Sequence, residues 1–308
     1  MIEIWRGNAN AWECDELGHM NVKFYLSKAN EALGGLAAQT GLKNIHRADA
    51  NATLLPKALH VRFLAEARPG APLMIEGGWT GISDTGCSAV LVMRHGGTGK
   101  PAASFRIDLD HISPRDGRAF TWPSYFPAQL EARSVTVPDF AGPRGVADTS
   151  SGTTAASLER ADELGLAHVG LGRFTPDEVD VFGRMRTEVL LGRISNSVVN
   201  FSQAFPEEWA FHQGQTEASI GSALLECRIL PHRWPRAGDG YVVRSGLKSF
   251  GPKVRNIVHW VLDPVTGRPW WTMEGVAAPM DLDARKILDL SPAVRPGLDA
   301  ACIAGLEA

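Results

Sequence analysis

Asp15-Glu16-Leu17-Gly18-His19-Met20-Asn21 is the stretch that decides how this chain is read. It sets a carboxylate, a turn glycine, an imidazole and a carboxamide in succession where an extended segment gives way to a helix. Behind it, Val22, Tyr25, Leu26, Ala29, Leu33, Leu36 and Ala37 recur at three- and four-residue steps up to Thr40, with Lys23, Ser27, Asn30 and Glu31 on the other side. That spacing predicts an amphipathic helix with one buried stripe. Asn21 suits its N-cap, because the side-chain oxygen can accept from a first-turn amide that has no partner inside the helix. Gly18 suits the sharp turn before it. The amides near Met20, Asn21 and Val22 lie at the positive end of the helix dipole, where a developing oxyanion is favoured.

Downstream, Leu54 to Ala67, Leu73 to Ile82, Cys87 to His95 and Pro101 to Ile112 are rich in alternating or continuous apolar residues, separated by turn compositions such as Arg68-Pro69-Gly70 and Gly96 to Lys100. The glycine run lacks Walker spacing and joins two strands, so it reads as a hairpin turn and not a phosphate loop. One helix followed by consecutive strands with short turns predicts an α+β fold with an antiparallel sheet.

The pattern then repeats. Asp180, Gly183 and Met185 each lie 165 residues beyond Asp15, Gly18 and Met20. Leu190, Leu191, Ile194, Val198 and Phe201 continue as a helical stripe. Arg228-Ile229-Leu230 echoes Arg62-Phe63-Leu64, and Thr266-Gly267-Arg268-Pro269 echoes Thr98-Gly99-Lys100-Pro101. Duplication is the simplest explanation. The expected organisation is a first domain over 1–115, a connector over 116–165 that is mobile near Ser150, and a second domain over 166–308 ending in a helical tail interrupted at Pro292 and Pro296.

Composition narrows the function classes. With 308 residues, 44% hydrophobic and 21% charged, the chain is ordinary globular material, long enough for two domains. A net charge of -3 leaves no basic footprint for nucleic acid, and no apolar run reaches the length of a membrane span. Four cysteines without a Cys-x-x-Cys pair imply reduced thiols in a cytoplasm, not a disulfide framework or metal site. Cys14 beside Asp15 would point to the opposite face of an extended segment, which argues against it as a nucleophile.

A helix introduced by Asp-x-x-Gly-His-Met-Asn, with strands after it and a second copy downstream, resembles the hot-dog fold of acyl-CoA and acyl-carrier-protein thioesterases in its tandem form. That resemblance implies two antiparallel sheets, each wrapped around a long central helix, with acyl sites at the seam between copies. It also implies an acid at position 15 acting as general base or nucleophile, no cofactor, and chains that can associate further. Thioester hydrolysis needs an attacking water or carboxylate and donors for the oxyanion, while the thiolate leaves readily. Asp15, His19 and Asn21 are the catalytic candidates. Gly18, Met20 and Val22 are candidates for holding substrate, and Glu31 joins them because such enzymes carry an acid in the central helix. On the helix pattern alone Glu31 is a solvated side chain.

The second copy departs from this pattern. Arg184 stands where the first copy has His19 and Arg186 where it has Asn21, although Asp180 remains. Such an arginine either pairs with Asp180 and lowers its basicity or reaches an anionic part of the substrate. The expectation is one working site and one degenerate copy. Two other readings stand beside it: an acyl-thioester binding protein without chemistry, and a hot-dog hydratase or dehydratase, whose Asp-x-Asn-x-x-His spacing is not seen near Asp15.

Overall fold

The computed structural model describes residues 1–147 and 154–308, so the linker expected near Ser150 lies outside the described residues. The chain forms two compact units, Met1–Gly142 with Asp177–Val189, and Pro143–Pro176 with Leu190–Ala308. The segment read as a connector is thus divided: as far as Gly142 it packs with the first unit.

In the first unit, strands β1 (Ile2–Asn8), β2 (Thr53–Phe63), β3 (Pro72–Ile82), β4 (Gly86–His95) and β5 (Pro101–Ile112) form one antiparallel sheet in the order β1-β3-β4-β5-β2. The edge strand β1 is an addition to the four that periodicity marks. Strand β2 stops short of Ala67 because the amides of Leu64 and Ala65 both donate to Ala102 O, at 2.8 and 3.1 Å, a bulge that turns the chain out of the ladder. The turn after β4 is the expected hairpin, with Gly99 at φ 69° and its amide bonded to His95 O.

Helix α1 (Val22–Gln39) packs on β1, β3 and β4 and buries Tyr25, Leu26, Ala29, Leu33, Leu36 and Ala37, the predicted stripe apart from half-buried Val22. Its approach to β1 depends on Gly35, where a Cβ would meet Ile4 O at 2.5 Å. Helix α2 (Phe126–Glu131) seals the sheet near Trp79, with Phe126 edge-on to that indole and Trp79 Nε1 donating to Thr40 Oγ1 at 2.9 Å. Fully burying side chains of this size contributes roughly 1.5–3 kcal/mol each.

The second unit repeats the sheet. Helix α3 (Leu158–Glu163) leads into β6 (Ala167–Arg173), and β7 (Ile220–Pro231), β8 (Gly240–Phe250), β9 (Arg255–Leu262) and β10 (Pro269–Asp281) give the antiparallel order β6-β8-β9-β10-β7, with the short β11 (Lys286–Ile287) on β10. The order matches that of the first unit strand for strand. Details match as well: Gly70 N bonds to Ala9 O in one copy and Gly238 N to Phe174 O in the other, and the bulge recurs where His232 and Arg233 amides share Trp270 O. This register pairs Arg62 with Leu230, two residues away from the sequence echo that matched it to Arg228. The two arginines still do similar work, Arg62 donating to Phe140 O at 2.6 Å and Arg228 to Ala147 O at 2.6 Å.

The long helix is where the copies part, and the expectation of one in each domain is corrected here. The second stripe is broken into α4 (Val189–Ser195), a single turn at Val198–Asn200 and α5 (Pro206–His212). Ser195-Asn196-Ser197 interrupts it, since short polar side chains compete for backbone partners. Ser197 Oγ donates back to Arg193 O at 2.7 Å, and Asn200 Nδ2 donates to Val169 O at 3.0 Å. The tail ends in α6 (Arg295–Ala301); beyond it Leu306 joins Ala161 of α3 against Val242, Val258 and Trp260, and Trp260 Nε1 donates to Glu307 O at 2.9 Å.

Candidate active site

Residues 14 to 20 form a closed loop. Cys14 and Met20 make an isolated antiparallel bridge, Asp15 N donates to His19 O at 3.1 Å, and Gly18, at φ 76°, turns the chain so that its amide reaches Asp15 O. The loop is tied to the unit at both ends. Met20 N donates to Ala67 O at 2.7 Å, and Asn21 N donates to Glu13 O at 2.9 Å. Glu13 is itself fixed by a buried ion pair to Lys28 of α1 at 2.7 Å.

Within this frame Asp15 has few partners. Its Oδ1 accepts from Leu17 N at 3.2 Å and its Oδ2 from Asn21 Nδ2 at 3.0 Å. His19 Nδ1 lies 3.6 Å from Oδ1, close by but outside hydrogen-bond range. The Asp15 side chain is 17% exposed and that of His19 15%, so both line the protein surface without standing out in water. The same Asn21 caps α1, its Oδ1 accepting from Lys23 N at 3.0 Å. The structure therefore brings Asp15, His19 and Asn21 together.

The amides at the helix start are mostly committed. Those of Met20 and Asn21 serve the loop, those of Lys23 and Phe24 bond to Asn21 Oδ1 and O, and among the described residues the Val22 amide is left without an acceptor. Met20 is fully buried and Gly18 spends its amide on the turn, so of the three loop positions expected to hold substrate only Val22 offers a free donor. Glu31 is exposed nine residues further along α1, roughly 13 Å away along the axis, and is not part of this cluster.

Two residues not singled out by sequence join the cluster. The Tyr25 hydroxyl accepts from Ala67 N at 2.9 Å and donates to Ala65 O at 3.3 Å. Burial pushes this phenol up, and the charges of nearby Glu66 and Asp15 add to the shift. Glu66 thus sits in the same neighbourhood as Asp15, carried there by the bulge that ends β2. Burial also raises the Cys14 thiol, with Asp15 and Glu13 adding to it, which keeps it protonated and a poor nucleophile.

The corresponding loop of the second copy has the same backbone and different chemistry. Val179 and Met185 make the matching bridge, Gly183 sits at φ 73°, and Asp180 N donates to Arg184 O at 2.6 Å. Asp180 accepts four hydrogen bonds: Phe182 N and Arg184 N on Oδ1, and Arg184 Nε and Nη2 on Oδ2 at 3.3 and 3.1 Å. Arg186 pairs with Glu188 at 3.3 Å instead of capping a helix, and α4 starts three residues later. Of the two roles open to these arginines, the geometry is that of carboxylate partners. By register Tyr25 is replaced by Leu190 and Glu66 by Trp234, a signal that a residue-by-residue comparison of the copies carries.

A sequence model of the thioesterase-like superfamily matches residues 9–132 and again residues 174–298. No curated protein sequence matches the chain. Among solved structures, one described as an oleoyl thioesterase from Lactobacillus plantarum superposes with TM-score 0.65 at 9% identity, over 89% of this chain and 94% of that one. An acyl-ACP thioesterase from Bacteroides thetaiotaomicron gives TM-score 0.61 at 10% identity over 89% and 96%. The 12:0-ACP thioesterase from Umbellularia californica gives 0.61 at 10% over 89% and 93%. At such identities the likeness is one of fold.

Proposed function

The chain belongs to the thioesterase-like superfamily as a tandem hot-dog protein, and we propose that it hydrolyses an acyl thioester of coenzyme A or of an acyl carrier protein to the free acid and thiol. Asp15 takes a proton from water as the water oxygen bonds to the thioester carbonyl carbon. The charge that moves onto the carbonyl oxygen is held by the Val22 amide at the positive end of α1. When the tetrahedral intermediate collapses, the carbon–sulfur bond breaks and the thiolate departs, taking up the proton held by Asp15 so that the thiol forms and the carboxylate is restored. Asn21 fixes the orientation of the Asp15 carboxylate, and His19 borders the water.

The observation that carries this reading is the pairing of a lightly bonded carboxylate at Asp15 with a free amide at Val22, seven residues apart in sequence but linked by one capping residue, Asn21. The second copy supports it by contrast. Asp180, which accepts four hydrogen bonds, two of them from a guanidinium, is held as a structural carboxylate. Thiol release from a panel of acyl-CoAs and acyl carrier proteins tests the proposal. Steady turnover with at least one of them is the expected result; tight binding without thiol release from any would leave a binding protein.

A further inference from the structure

The duplication supplies an internal comparison. Glu13, whose carboxylate anchors the first loop through Lys28, has a buried counterpart in Glu178, so this feature belongs to the scaffold common to both copies. Asn21, His19 and Tyr25 are each replaced in the copy whose carboxylate is neutralised, by Arg186, Arg184 and Leu190. Tyr25 therefore segregates with the chemistry, although its helix position is a core position that leucine fills equally well.

Its contacts give the reason. The hydroxyl spans the Ala65 carbonyl and the Ala67 amide, holding the three residues that leave the β2 bulge in one conformation. The carbonyl of the same Ala67 receives the Met20 amide at 2.7 Å. Helix, turn and loop are thereby closed into a ring: Tyr25 of α1 to Ala67, Ala67 to Met20, and Met20 through Asn21 and Val22 back to α1. We infer that Tyr25 is a positioning residue of the site, setting through Ala67 and Met20 the distance between the Asp15 carboxylate and the Val22 amide. This inference rests on the thioesterase reading above.

Within that ring the phenol stays protonated, since burial pushes it up, so its two hydrogen bonds persist across the working pH range. Removing the hydroxyl leaves the buried Ala67 amide unsatisfied and lets the loop shift, and misplacement by about 1 Å costs up to roughly 100-fold in rate. Substrate binding along the rest of the acyl chain would not change. Phe63 packs edge-on to the Tyr25 ring, with centroids 5.3 Å apart, and serves as the packing control.

The experiment measures kcat and KM for thiol release by Tyr25→Phe, Phe63→Leu and Asp15→Asn, with melting temperatures, at a temperature where all remain folded. The expected result is a kcat for Tyr25→Phe lower by roughly 10- to 100-fold with KM within twofold, while Phe63→Leu melts earlier and keeps its kcat. Tyr25→Phe with kcat within twofold of the parent, or a kcat loss shared by Phe63→Leu in proportion to the fall in melting temperature, overturns the inference. Asp15→Asn separates the two levels, because full activity in that variant removes the catalytic reading whatever Tyr25→Phe does.

Discussion

The side chain of Asn21 donates to Asp15 Oδ2 at 3.0 Å while its oxygen accepts from Lys23 N at 3.0 Å, so one carboxamide both aims the carboxylate and caps the helix behind it. The two jobs separate chemically. A serine can cap but is too short to reach the carboxylate.

Asn21→Ser is expected to keep stability within about 0.5 kcal/mol and to lose at least roughly tenfold in kcat, whereas Asn21→Ala loses the same activity and about 1 kcal/mol of stability as well. Chemical denaturation alongside thiol-release kinetics reads both. Equal activity in parent and Asn21→Ser would separate the cap from catalysis altogether.

The second loop gives the converse expectation. Asp180 is tied by Arg184 and the loop amides, so Asp180→Asn should turn over substrate within twofold of the parent while melting several degrees lower, about 1–3 kcal/mol less stable for the loss of charge-assisted hydrogen bonds. Loss of turnover without loss of stability would move the active site to the second copy.

A pH effect on stability comes from α5. Glu208 is buried against Arg255, which is wholly inaccessible, and burial raises its carboxyl to about 7, with the Arg255 charge offsetting part of the shift. Because the folded state holds this proton more tightly than the unfolded chain, the contribution is full below the ordinary carboxyl range and is lost as pH rises through about 7. Melting temperature should therefore fall between pH 5 and 8 by more in the parent than in Glu208→Gln. Parallel curves for the two proteins would contradict the assignment.

The opposite slope comes from β9. His259 is buried with Nδ1 2.7 Å from Ser245 Oγ, and burial holds its imidazole down at about 3. Its contribution is full above the ordinary imidazole range and is lost as pH falls toward 3. In the first copy the same register position is Gly77 opposite Leu91, where a Cβ on the glycine would meet the leucine at 2.5 Å. The double variant Ser245→Gly with His259→Leu imports that pair and should melt with less acid sensitivity below pH 6, measured by calorimetry across the range.

What could be read in advance follows from how local each feature is. The Asp15 loop and its repeat were legible because Asp, glycine and methionine keep their spacing, and α1 because its stripe matches the helical period over 18 residues. The break in the second helix was not, since Leu190, Ile194, Val198 and Phe201 keep that period straight through the Ser195-Asn196-Ser197 interruption. Tyr25 reads as one more residue of the buried stripe and Glu66 as part of the strand run Leu54 to Ala67, because they come near Asp15 only once the bulge at Leu64 and Ala65 turns the chain out of β2. That the Met20 and Asn21 amides are already committed was not legible either, for a similar reason: Ala67 O and Glu13 O, which claim them, come from elsewhere in the chain.

The most direct measurement is the rate of thiol release by Asp15→Asn against the parent on the best acyl thioester, with binding of that substrate measured in parallel. A kcat reduced at least roughly 1000-fold with binding within a few fold is the predicted result, as expected when the group that activates water is replaced by an isosteric amide. Turnover by Asp15→Asn within tenfold of the parent would contradict it.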